Sequence, residues 1–93
     1  MKAIWNNTVI AESEEVIEIE GSYYFPPASV NQEYLQASDR ISYCPWKGRA
    51  HYYSLVVGGE INRNAVWSYA SPKTYARAVT GYMAFWNGVE LVD

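Results

Sequence analysis

Three dipeptides cut this chain into segments too short for anything but hairpins. Asn6-Asn7, Gly58-Gly59 and Asn87-Gly88 each sit between short runs rich in apolar, aromatic or β-branched residues. Asn and Gly are the residues that adopt positive φ at low cost, which a two-residue β-turn requires at both central positions. The first pair joins strands over Lys2–Trp5 and Thr8–Ala11. The second turns Arg49–Val57 into Glu60–Asn62. The third makes a hairpin of Tyr82–Trp86 and Val89–Val92, and Asn-Gly is the strongest turn signal of the three.

Between these anchors the pattern stays extended. Glu15–Glu20 alternates acids with aliphatics, and Ser22–Phe25 leads into Pro26, which disfavours helix in the residue before it. Arg40–Cys44 and Ala65–Tyr69 are further strands. Helix is confined to two short pieces. Ser29 and Gln32 have capping-box spacing ahead of a turn or two over Val30–Gln36. Ser71-Pro72 opens a second piece over Lys73–Thr80, which Gly81 stops. The expected fold is therefore mainly β, a single domain over residues 1–93 with antiparallel sheets and one or two short helices.

Composition excludes several function classes. The chain has 93 residues, seven bases, ten acids and a net charge of −3. The bases are scattered, so no stripe tracks a nucleic-acid backbone, and no nucleic-acid partner is expected. One cysteine forms no internal disulfide and builds no four-ligand zinc site, so no metal and no cofactor is expected. No apolar run is long enough to span a bilayer, and the N-terminal stretch lacks a signal peptide's apolar core. A soluble cytoplasmic protein without a membrane partner is expected.

The segment Ser42–Leu55 carries the chemistry. It holds the only cysteine, Cys44, the only histidine, His51, and Trp46 and Lys47 beside a Pro45–Gly48 turn. Period two places Tyr52 on one strand face, and Trp67 and Tyr69 on one face of a later strand. If those faces coincide, the rings converge with Trp46 beside the turn. Such a surface is either a packed core or a pocket for a small ligand, and pattern alone leaves both open. Cys44 and His51 flank the turn and could pair as thiolate and base, which makes Cys44 the candidate nucleophile. A lone cysteine is more often a small buried hydrophobe. The acids Glu12, Glu14, Glu15, Glu18 and Glu20 form a run that reads as a solvated edge.

An ordered set of motifs adds a resemblance. Tyr23-Tyr24-Phe25-Pro26, Ser38-Asp39, CPWKG at 44–48, Trp67-Ser68-Tyr69 and GYMAF at 81–85 occur at fitting distances over nearly the whole chain. This resembles the bacterial domain of unknown function family 427. The residues that match are Cys44, Trp46, Lys47, Gly48, Tyr52, Trp67, Tyr69 and Phe85. The resemblance implies the β-tent fold, antiparallel sheets meeting at an angle. It also implies a ligand held among aromatic rings, whose faces attract cations and pack flat amides. The Cys-x-x-Cys pairs that hold zinc in many β-tents are absent, so zinc is not implied. On this basis Trp46, Lys47, Tyr52, Trp67 and Tyr69 are the expected binding residues of a non-enzymatic module. Its expected ligand is small and polar or cationic. A thiol-dependent enzyme using Cys44, and a structural or protein-interaction domain without a ligand, are the other two readings.

Overall fold

A computed structural model describes residues 1–93 as nine strands in two antiparallel sheets. The small sheet has the order β2-β1-β9, from β1 (Lys2–Trp5), β2 (Thr8–Glu12) and β9 (Glu90–Val92). The large sheet has the order β3-β4-β8-β7-β6-β5. Its strands are β3 (Ile17–Ile19), β4 (Ser22–Phe25), β5 (Leu35–Cys44), β6 (Gly48–Val57), β7 (Glu60–Ser68) and β8 (Met83–Phe85). The mainly β, antiparallel expectation holds.

Both helical expectations reduce to 3-10 turns. Pro27–Ser29 and Gln32–Tyr34 replace the helix over Val30–Gln36. There is no capping box: the Ser29 hydroxyl donates to the Pro26 carbonyl, and Asn31 caps the second turn by accepting from the Glu33 amide. Leu35 then enters β5, whose pairing with β6 begins at Leu55 and outweighs local helix preference. Thr74–Val79 is likewise 3-10, interrupted by non-helical backbone at Ala76.

Asn6-Asn7, Gly58-Gly59 and Glu20-Gly21 all have two positive φ angles and close hairpins between neighbouring strands. Asn87-Gly88 has the same conformation, with φ of 55° and 91°. It does not close a hairpin. β8 already has β4 on one edge and β7 on the other, so no edge is left for β9. The turn sends β9 to the open edge of β1 instead. Trp86 is anchored on β7 by its backbone N–H to the Ala65 carbonyl at 3.0 Å and its ring N–H to the Asn64 carbonyl at 2.7 Å. Asn62 and Asn87 exchange hydrogen bonds of 2.9 and 3.1 Å. The strongest turn signal in the sequence thus forms its turn but joins two sheets.

The sheets enclose one apolar core. Ala3, Ile10 and Ala11 of the small sheet meet Phe25, Leu55, Val66, Met83 and Phe85 of the large one. Phe25 and Phe85 pack edge to face at 5.4 Å, a favoured geometry for aromatic pairs. The Asn31 amide donates to the Ile10 carbonyl and the Asn6 side chain to the Val57 carbonyl, fixing one sheet on the other. The opposite face of the large sheet carries a second cluster of Tyr24, Ala50, Tyr69, Ala76, Val79 and Ala84.

Both ends of the buried Asn62 amide are engaged by Asn87. Asn62→Ala removes both bonds, and the expected cost in urea denaturation is about 1–3 kcal/mol. A loss below about 0.5 kcal/mol, the range of ordinary surface changes, would show that the inter-sheet turn does not depend on it.

Candidate functional site

Strand register builds a row of side chains across four strands of the large sheet. Tyr24 pairs with Ala84, Ala84 with Trp67, and Trp67 with Tyr52. All four therefore stand on the face away from the core. Ala84 is small, so the flanking rings lean together over it. Tyr24 and Trp67 meet edge to face at 6.2 Å with planes at 88°. The Trp67 ring N–H donates to the Tyr24 hydroxyl at 3.3 Å. Tyr69, two residues beyond Trp67, tilts against Tyr24 at 6.5 Å.

The three rings of the row, Tyr24, Trp67 and Tyr52, line a cavity of about 330 Å³ with Ser22, Arg40, Lys47, Tyr69 and Trp86. Four of the five residues expected from sequence, Lys47, Tyr52, Trp67 and Tyr69, come together there. Trp46 does not join them. It sits at the tip of the β5–β6 turn, 64 % exposed, in a separate depression with Glu20, Pro45 and Tyr75. Strand parity aims Tyr52, Trp67 and Tyr69, and a turn residue has no such constraint.

The other lining residues come from features the sequence pattern does not advertise. β5 and β6 pair at Ala37↔Tyr53 and again at Ile41↔His51, so residues 38–40 bulge opposite Tyr52 alone. The bulge brings the Arg40 guanidinium to 4.9 Å from the centre of the Tyr52 ring. Bulges commonly re-aim a side chain in this way. On the other side of β6, β7 bulges at residues 63–65, with Asn64 at φ 56°. Ser38 donates to the Asn64 side chain, and the Asn64 amide donates to the Ser54 hydroxyl, which ties the two bulges across β6. Ser42 and Tyr52 share a hydroxyl hydrogen bond of 2.9 Å.

Lys47 is the only buried charged residue, at 8 % exposure. Its ammonium pairs with Glu20 in the chain's one ion pair, and lies 3.9 Å from the Cys44 sulfur. Glu20 stays exposed like its acidic neighbours, but it alone of them is paired. It occupies the β3–β4 turn at φ 51°, the one residue with positive φ that is neither Gly nor Asn. Burial pulls the Lys47 pKa down, but the Glu20 hydrogen bond, with Cys44 and Tyr24 nearby, carries it above its ordinary value. Burial raises the Tyr24 hydroxyl, and burial with neighbouring Tyr24 raises Tyr69 to about 12. The Lys47 ammonium is thus held charged against Glu20, and Arg40 supplies the cavity's other cation.

Cys44 and His51 do not pair. Cys44 faces Gly48 in the ladder and His51 faces Ile41, so parity places the two side chains on opposite faces of the sheet. No group of three His, Cys, Asp or Glu residues is arranged to hold a metal ion. No helix is long and apolar enough to cross a membrane.

Residues 1–93 match the domain of unknown function DUF427, and the chain belongs to that family. No curated protein is detectably similar to it.

Lys47, Tyr24 and Tyr69 each hold a proton more tightly folded than unfolded. Above the ordinary tyrosine value of 10.0, the unfolded chain therefore loses protons first and gains on the folded one. The stability these three groups contribute is expected to hold up to that point and to fall as pH rises towards about 12. Urea midpoints along this range test it, and Tyr69→Phe should flatten the fall. An unchanged slope in that variant would contradict the assignment to Tyr69.

Proposed function

We propose that this member of the DUF427 family is a binding module that holds a small polar ligand in the aromatic cavity, and that it is not an enzyme. The observation that carries this reading is the convergence of Tyr24, Tyr52, Trp67 and Tyr69 with Lys47 and Arg40 around one cavity. The cavity volume of about 330 Å³ falls in the range of small-molecule sites.

The lining favours one of the two expected ligand chemistries. No carboxylate faces the cavity except through its bond to Lys47. Arg40 already lies near the face of Tyr52, where a cationic ligand would bind. A neutral or weakly acidic flat ligand fits better. Its ring would stack on Trp67, and its polar edge would accept from Arg40 or the tyrosine hydroxyls. The separation of Cys44 from His51 favours binding over thiol catalysis. The single free cysteine accords with a cytoplasmic setting.

A tryptophan-fluorescence screen of flat cyclic amides and hydroxylated rings tests the reading. A saturable ligand is expected, with affinity at least about tenfold weaker in Trp67→Ala. The half-buried Trp67 should cost less stability than the roughly 3–5 kcal/mol of a core tryptophan. An empty screen together with a full core-sized loss would make the ring row structural.

A further inference from the structure

A second hollow, of about 590 Å³, lies on the other face of the β5–β6 hairpin, beyond the end of the apolar core. Tyr43 faces Arg49 across the ladder, and His51 follows two residues on, so all three project to that face. The segment Ala70–Lys73 forms the opposite wall. That wall is fixed rather than loose. The Lys73 backbone N–H donates to the Lys47 carbonyl at 2.9 Å, and its ammonium to the Pro45 carbonyl at 3.0 Å. Gly48 lies between, at φ 107°, with the Lys73 backbone 3.6 Å from where a Cβ would stand.

The charge at this hollow runs against the chain's balance. Net charge is −3, with ten acids available, yet Arg49, His51 and Lys73 line it and no carboxylate does. The chain's one ion pair is Lys47–Glu20, so Arg49 and Lys73 have no acidic partner. Their donors are free to bind. The Arg49 guanidinium rests 5.8 Å from the centre of the Tyr43 ring, which leaves its N–H edge available. Lys73 has used one of three ammonium protons. Ser71 adds a hydroxyl.

We propose that this hollow binds the phosphate group of a phosphomonoester, with the organic part packed beside Tyr43. Donors from two facing walls, Arg49 on the hairpin and Ser71 and Lys73 opposite, suit a tetrahedral oxyanion better than a planar carboxylate, which one arginine fork would satisfy. The volume exceeds what a phosphate alone fills, and the aromatic wall adjoins the remainder. The site is independent of the aromatic cavity, which opens on the opposite face.

Amide chemical-shift titrations at constant ionic strength test it, with phenyl phosphate, inorganic phosphate and phenol as probes. Phenyl phosphate should give saturable shifts at Gly48, Arg49, Ser71 and Lys73, and bind more tightly than either other probe. R49Q and K73Q should each weaken it by about tenfold or more, as loss of a charge-assisted hydrogen bond predicts. K2Q, on the small sheet, should not. Both test residues are exposed, so the unshifted amides report an intact fold. Equal affinity for inorganic phosphate would overturn the monoester assignment. Shifts that do not saturate, or that persist in R49Q and K73Q, would overturn the site.

Discussion

The ammonium of Lys47 and the carboxylate of Glu20 meet from two turns that the sheet order sets apart. Glu20 belongs to the β3–β4 turn and Lys47 to the β5–β6 turn, and two strands, β8 and β7, run between β4 and β6. In a flat sheet β4 and β6 would lie about 14 Å apart. The ion pair joins the two turns across the intervening strands. A buried ammonium is costly to leave without a partner. Lys47, at 8 % exposure, finds its one carboxylate partner in the half-exposed Glu20. Glu20 has a left-handed backbone at φ 51°.

Lys47 of that pair lines the same cavity as the ring row. Tyr24 and Tyr52 stand at the two ends of the row, and Trp67 bridges them over Ala84. The Tyr24 hydroxyl, buried with its ring, takes its hydrogen bond from Trp67. The two bulges beside β6 then add Arg40 at the rim and lock it through Ser38 and Asn64. The same hairpin serves both faces. Even-numbered positions of β6 face the ring row, and Arg49 and His51 face the basic hollow on the other side.

Legibility divided along a clear line. Strand periodicity is local, so the shared face of Trp67 and Tyr69, and that of Tyr52, could be read from spacing. Turn conformation is also local: Asn6-Asn7, Gly58-Gly59 and Asn87-Gly88 all adopt the positive φ angles their residues favour. Strand partnership is not local. The destination of β9 depended on which edges β4 and β7 had already taken, and no property of Asn87-Gly88 records that. Glu20 was hidden among similar acids, although Glu20-Gly21 held a weak turn signal. Arg40 was aimed by a bulge whose residues, Ser38-Asp39-Arg40, carry no glycine to mark it. Trp46 stood beside the right lysine but on a turn, where parity gives no direction.

The Lys47–Glu20 pair is best tested by a double-mutant cycle on Lys47→Met and Glu20→Gln, read as urea unfolding free energies. If the pair organises the two turns, the double variant should be more stable than the sum of the single losses implies. A coupling above about 1 kcal/mol, beyond the usual worth of an exposed pair, is predicted. A coupling near zero would show that the two turns hold their places without it, and would contradict the account.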